Sequence, residues 1–418
     1  MSNLLRRVTP TELNGAGRVP IAAEVRATAI EIVEDVRDRG EKALRFHAER
    51  LGDIQPGQPV TVDRHELKTS FDSLDDESRQ LLVRVQRRIE SFSRAQREGV
   101  SDLNVQIDGG QAGHRWIPVG SVGAYAPGGR YPLPSSVLMT VTPARVAGVT
   151  SVWLASPRPT PLTLAAAWVS GADGLLAVGG AQAVAALAFG TVNPPVDVVV
   201  GPGNKWVTAA KRHLFGEVGL DGLAGPSEIL VIADSTADPR LVAMDLLAQA
   251  EHDVDAVTSL ITTSEHVADE VERELAQQLE DLPTADVARV ALSNGFCVIV
   301  NDLRNAAVIS DGLAPEHLAL HVDDPRTVAL QVRNYGSVFI GRSAAEAFAD
   351  YGAGPNHVLP TGGGARFSAG LSVFTFLKPT TWLSVDRPDA LAEDTARLAR
   401  LEGLEAHARA ALARARNG

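Results

Sequence analysis

Cysteine is nearly absent. Cys297 alone occurs in 418 residues, which excludes an internal disulfide and any cysteine-built metal cluster. Aromatics make up only 5%, and basic residues are outnumbered, 39 Lys and Arg against 51 Asp and Glu, for a net charge of −12. Neither a basic stripe nor an aromatic platform is available, so no nucleic-acid partner is expected. No run of 18 apolar residues occurs, so no membrane span is expected. The opening segment, MSNLLRRVTPTELNG, has no apolar stretch long enough for a secretory signal. What is present is ordinary: 45% hydrophobic and 22% charged residues, with 37 Gly and 24 Pro. Disorder, collagen and coiled coil fit this poorly. A soluble, cytoplasmic, globular chain of two or three domains is the expectation.

Residues 21–50 carry apolar positions at helical spacing, interrupted by Gly40, and predict two amphipathic helices. Residues 75–98 predict a third. From about 115 onward, short β-branched runs alternate with Ala-rich helical stretches. The runs are VTSVWLAS (149–156), LLAV (175–178), VDVVV (196–200), EILVIAD (228–234), VTSLITTS (257–264), FCVIV (296–300) and SVFI (337–340). Such runs separated by helices of ten or more residues read as parallel strands in an α/β fold. VTSVWLAS and VTSLITTS echo each other, as a duplicated α/β unit or chance in a Val/Thr-rich chain would produce. Strands are expected to stop near 379, after a bend at Gly362, Gly363 and Gly364. Residues 388–416 then read as one charged, solvated helix.

Several clusters stand out chemically. GPGN (201–204) follows a strand and opens a helix, where backbone N–H groups can meet a phosphate. Trp206 stands where the third glycine of a dinucleotide fingerprint belongs, so taken alone the segment reads as a tight turn rather than a phosphate site, as does Pro127-Gly128-Gly129. A helix is expected to begin at Asp238 as N-cap with Pro239 in its first turn. On it Gln249 and His252, three apart, share a face; they suit a metal ion or simply a polar helix end. Glu316-His317 offers an acid/base unit or a surface turn. Asp350 and His357 lie in a Gly/Pro-rich loop of the kind that holds functional groups. Glu402 and His407, five apart, would lie on helix faces about 140° apart and would not chelate as a local pair. His47, His65, His213 and His266 fall in charged contexts, while His114 and His321 flank apparent strands. Cys297, inside FCVIV, reads as a small buried hydrophobe.

Ten segments in order make the chain resemble the histidinol dehydrogenases: VGAYAPGG (122–129), SSVLMTVTPARVAGV (135–149), GGAQAVAALAFGT (179–191), VVGPGN (199–204), AGPSEILVIAD (224–234), DLLAQAEHD (245–253), APEHL (314–318), NYGSVFIG (334–341), GPNHVLPTGG (354–363) and EGLEAH (402–407). The resemblance implies one Zn²⁺ per subunit, held by Gln249, His252, Asp350 and, from the partner subunit of a homodimer, His407. It implies substrate contacts at Ser227, Glu316, His357 and Glu402 together with the zinc ligands, and NAD contacts at Tyr125, Gln182 and Asn204. It also implies two incomplete dinucleotide-binding-like domains. We expect an arm at 1–20, one domain from 21–120 with 230–370, a second at 121–229, and a helical tail at 371–418.

The implied reaction takes L-histidinol through its aldehyde to L-histidine with two NAD⁺, the last step of histidine biosynthesis. His317 corresponds to the base of the alcohol step and Glu316 to the residue that activates water. Hydration of the aldehyde suits a chain whose one cysteine is placed in an apolar strand. One segment departs from the pattern: GGRYPLPSS (128–136) places Arg130 and Tyr131 early, as in a related branch that oxidises a sulfonated propanediol. Another amino alcohol or such a diol therefore stays open as substrate. A catalytically silent zinc- or ligand-binding homologue stays open too, although Gln249, His252, Glu316, His317, Asp350 and His407 are all present.

Overall fold

The computed structural model describes residues 4–13, 21–128 and 132–415. Its strands are, in chain order, β1 (Arg6–Arg7), β2 (Thr61–Asp63), β3 (Leu103–Ile107), β4 (Gly110–Pro118), β5 (Ser121–Tyr125), β6 (Ser151–Ala155), β7 (Gly174–Leu176) and β8 (Val198–Val200). There follow β9 (Gly219–Leu220), β10 (Glu228–Ala233), β11 (Val257–Thr262), β12 (Phe296–Ile299), β13 (His317–His321), β14 (Ser337–Ile340) and β15 (Leu377–Val385). Two six-stranded sheets form with the orders β2-β7-β6-β5-β8-β9 and β1-β12-β11-β10-β13-β14. The two orders are the same: β5 or β10 at the centre, the next two strands on one side with the earlier β2 or β1 added at that edge, and the last two on the other. β6 and β11, which carry the echoed VTS segments, hold the same place in their sheets, as a duplication requires. Only the edges differ in sense, since β2 pairs antiparallel with β7 and β1 parallel with β12. Both sheets are covered on both faces, which explains the uninterrupted apolar runs such as Val198–Val200, all buried.

The helices expected at 21–50 and 75–98 are present as Ala23–Arg39, Glu41–Arg50 and Asp76–Glu98. Their partner differs from the expectation. Ala29, Val33 and Val36 share one core with Ala183, Val184 and Leu187 on helix Gly180–Phe189. Leu67, Leu82 and Ile89 share another with Val137, Val141 and Ala166. Residues 21–120 therefore belong to the lobe of 121–229, not to 230–370. The apolar faces of these helices match the Ala-rich helices of that lobe, a pairing that periodicity alone does not specify. The second lobe is built on 228–350, and β1 adds the N-terminal segment to its edge.

The C-terminal segment also departs from the expectation. Leu371, Val373 and Phe376 are buried in the first lobe, so the tail does not begin at 371. β15 then pairs with β4 over nine residues, from Leu377 opposite Pro118 to Val385 opposite Gly110. Most of its side chains are exposed, so it lacks the apolar alternation that marks a half-buried strand. Beyond it the single helix is in fact two, Asp389–Leu401 and Glu405–Ala415. Gly403 (φ +80°) breaks the run, with its N–H on Arg400 O and the Leu404 N–H on Ala399 O. That is the left-handed glycine termination of a helix. The hairpin packs on itself through Ala396, Ala399 and Ala408.

Candidate active site

Helix Pro239–Ala250 starts as expected, with the Asp238 side chain accepting from the Arg240 N–H at 3.0 Å. It aims its C-terminal end at the N-terminal edges of β10 and β13. Gln249 lies buried on its last turn, and His252 falls just beyond it, exposed. His252 Nε2 is 3.7 Å from Asp350 Oδ2. With Glu346, these residues offer three ligand atoms within 4.8 Å of one another. Glu346 was not expected. It and Asp350 are the two ends of helix Glu346–Asp350, four residues apart on one face, and that spacing is the one signal the sequence carried.

Glu316 immediately precedes β13 and His317 opens it. Three oxygens surround His317 Nδ1: Gln249 Oε1 at 3.0 Å, Glu228 O at 3.2 Å and Glu346 Oε1 at 3.3 Å. The proton therefore belongs on Nδ1, and Nε2 is a buried lone pair with no partner among the described residues. Burial outweighs the pull of Asp350 and lowers the imidazole to about 4, so it is neutral. Glu316 Oε2 accepts from the Glu228 N–H at 2.9 Å. Burial first, then neighbouring carboxylates, push Glu316 and Glu346 well above the usual carboxylate range. Among the described residues, the ion pairs of Glu316, Glu346 and Asp350 are all with histidines. An amide, imidazole and carboxylate set with no fixed cation beside it among the described residues has donor chemistry that suits Zn²⁺.

This cluster reaches the first lobe through the 354–363 loop. His357 Nδ1 is 3.0 Å from Asp350 O and its Nε2 3.3 Å from Ser136 Oγ, on helix Pro134–Ala147. The Asn356 side chain donates to Met139 O at 2.6 Å. Gly362 N–H donates to Glu228 Oε1 at 2.9 Å, so the expected glycine bend is tied to the site. Ser227 directly precedes β10. Glu402 and His407 lie exposed on the tail, and their own chain does not bring them to the cluster. Arg130 and Tyr131 lie outside the described residues.

A second group gathers at the C-terminal edge of the first sheet. Tyr125 ends β5, buried, and its Oη accepts from the Gly180 N–H at 3.2 Å. Burial drives its hydroxyl up to about 12. Gln182 donates through Nε2 to Asp53 Oδ2 at 3.0 Å, while its Oε1 is buried without a partner among the described residues. Asn204 caps helix Lys205–Leu214 by accepting from the Trp206 and Val207 N–H groups. Gly201 (φ +108°) turns the GPGN segment so tightly that a Cβ would stand 2.1 Å from Tyr125 O. Buried Lys211 fixes that turn, donating to Gly201 O and Asp221 Oδ1 at 2.7 Å, while Asp221 Oδ2 takes the Gly201 N–H at 2.6 Å.

Of the remaining histidines, His47 pairs with Asp35, His213 with Glu34 and His321 with Asp245, at 2.7 to 2.8 Å. Cys297 is buried in β12, and burial raises its thiol to about 11.

Two lobes of dinucleotide-fold order, joined at a histidine–carboxylate cluster, define an α/β dehydrogenase. The family model "Histidinol dehydrogenase" matches residues 19–415. The histidinol dehydrogenase of Thermus thermophilus is 48% identical over 383 residues, 90% of this chain and 92% of the relative. That of Parasynechococcus marenigrum is 46% identical over 387 residues, 90% and 88% of the two chains. The crystal structure of histidinol dehydrogenase from Elizabethkingia anophelis has a TM-score of 0.93 at 30% identity, covering 100% of this chain and 99% of that one. This chain belongs to the histidinol dehydrogenase family.

Proposed function

We propose that the protein oxidises L-histidinol to L-histidine through L-histidinaldehyde, with two NAD⁺ and one Zn²⁺ per subunit, as the last step of histidine biosynthesis. The observation that carries this reading is the bare, buried Nε2 of neutral His317 beside Glu316 and the His252, Asp350 and Glu346 ligand atoms. Gln249, His252 and Asp350 would hold the metal, and His407 of a second subunit would complete the set in a cytoplasmic homodimer. Zn²⁺ there would draw in the imidazole and amine nitrogens of the substrate and orient it. NAD⁺ would receive the hydride of each oxidation, on the side of Tyr125, Gln182 and Asn204.

The chain's own groups then move protons. His317 Nε2 takes the alcohol proton as the first hydride leaves, and its Nδ1–H stays on Glu228 O and Gln249 Oε1. Glu316 keeps Oε2 on the Glu228 N–H, so its other oxygen is free to accept a proton from water. A carboxyl pushed upward by burial is the stronger base once charged. The hydrated aldehyde then loses the second hydride. Ser227, His357 and Glu402 would position the substrate.

Two variants test the assignment. His317→Asn should lower oxidation of L-histidinol by about 10²- to 10⁴-fold, the contribution of one positioned base. Glu316→Gln should spare the alcohol step, read in reverse as reduction of L-histidinaldehyde by NADH, and lose aldehyde oxidation. Equal loss of both half-reactions in Glu316→Gln would contradict the division of roles.

A further inference from the structure

In a dinucleotide-binding sheet the adenosine ribose lies off the end of the second strand. A carboxylate there accepts from its 2′-hydroxyl, and an arginine there takes a 2′-phosphate. The second strand of the first lobe is β6, and it runs into Ser156-Pro157-Arg158 with no carboxylate. Arg158 holds a left-handed conformation (φ +46°). The acidic group arrives from elsewhere in the chain. Helix Glu41–Arg50 ends at Gly52 (φ +76°), whose N–H bonds Glu49 O while the Asp53 N–H bonds Ala48 O. This glycine termination projects Asp53 onto the turn that follows β7.

There Asp53 Oδ2 accepts from the Gly179 N–H at 2.9 Å and from Gln182 Nε2 at 3.0 Å; burial raises its carboxyl above the ordinary carboxylate range, while these donors and Arg158 pull the other way. Asp53 Oδ1 receives no hydrogen bond among the described residues. Neither does Gln182 Oε1, although the Gln182 side chain is 1% exposed. The turns around it leave no room for a side chain at their glycines. A Cβ on Gly179 would meet Pro157 at 2.8 Å, one on Gly128 would meet Pro157 O at 2.2 Å, and one on Gly180 would meet Gln182 Oε1 at 2.9 Å. Two unused acceptors, on side chains joined by the Gln182–Asp53 hydrogen bond, are complementary to a ligand that presents two hydroxyl donors, such as a ribose diol.

We propose that Asp53 reads the adenosine ribose of the cofactor, accepting from its diol, and so selects NAD⁺ over NADP⁺. The inference rests on the proposed use of a nicotinamide dinucleotide. A 2′-phosphate would face a carboxylate and an amide oxygen, and it would compete with Asp53 for Arg158.

Fluorescence titration of the full-length protein with NADH and with NADPH tests this independently of turnover. Wild type should bind NADH the more tightly. Asp53→Asn keeps an oxygen for the Gly179 N–H but removes the charge. It should lower the NADH preference by about 10- to 100-fold, the worth of a hydrogen bond to a charged group. In the Asp53→Asn background, Arg158→Ala should weaken NADPH alone. Equal weakening of both nucleotides in Asp53→Asn, with an unchanged melting temperature, would show that Asp53 only braces Gln182 and would overturn the inference. If wild type binds neither nucleotide, the cofactor reading itself fails.

Discussion

At the scale of single residues, environment rather than type divides the chemistry. Cys297 and His317 are both buried, yet burial disarms one and prepares the other. The Cys297 thiol, raised to about 11 within β12, has no thiolate to offer at neutral pH. Cys297→Ala should therefore keep kcat within about twofold while costing about 1 kcal/mol of stability for the lost packing, and N-ethylmaleimide should leave wild-type activity intact. Glu228 is a different case. Burial raises it to about 7 against an unfolded value near 4.5, so the folded protein binds the extra proton between these values. Its contribution is fully present below about 4.5 and is lost as the pH rises through 7. In metal-free protein, Glu228→Gln should flatten that decline and raise stability at pH 8 by on the order of 2 kcal/mol, read from denaturant melts. Single motifs displayed His317, Glu316 and Asp350. Glu228 was hidden, and Glu346 showed only in its four-residue spacing from Asp350, because their importance lies in which buried groups they face.

Among the elements, the turns that build the site depend on a few buried contacts. Lys211 and Asp221 are a buried ion pair wrapped around the Gly201 peptide. Lys211→Met leaves Asp221 charged and unpaired, and should destabilise the protein by about 3–5 kcal/mol in thermal or denaturant unfolding. The double variant Lys211→Met with Asp221→Asn should recover part of that loss. Seven strands of the two sheets, β6, β7, β8, β10, β11, β12 and β14, were legible because each is a short apolar run, whereas the edge strands β1 (Arg6–Arg7), β2 and β9 are too short or too polar to show as one. β15 was not legible either, since Thr380, Thr381 and Ser384 lie on a mostly exposed strand whose place is set by its pairing with β4. The tail was read as one helix although Gly403 stands where the chain turns. A single glycine is tolerated within a helix, and only the return hydrogen bonds to Ala399 and Arg400 identify it as a terminus.

For the molecule as a whole, the sequence order of the lobes conceals their assembly. The local pattern gives parallel strands alternating with helices, and the resemblance implies two such domains, but residues 21–120 could have covered either one. The choice was made by side-chain packing of Ala29, Val33 and Val36 against helix Gly180–Phe189. Beyond β15 the tail hairpin exposes Leu398 and Leu401, at 59% and 79%. It also carries His407 away from the cluster it is proposed to complete. If that histidine serves a second subunit, His407→Ala and His317→Asn should each be inactive alone. Mixed and refolded together, they should regain up to about a quarter of wild-type activity, because half of the dimers are mixed and each has one intact site. No recovery would place both groups within one chain's site.

The most direct test is the yield of NADH from limiting L-histidinol and excess NAD⁺, before and after chelation. The account predicts two NADH per L-histidinol, lost with the metal and restored by Zn²⁺. One NADH per substrate, or a yield indifferent to chelation, would contradict it.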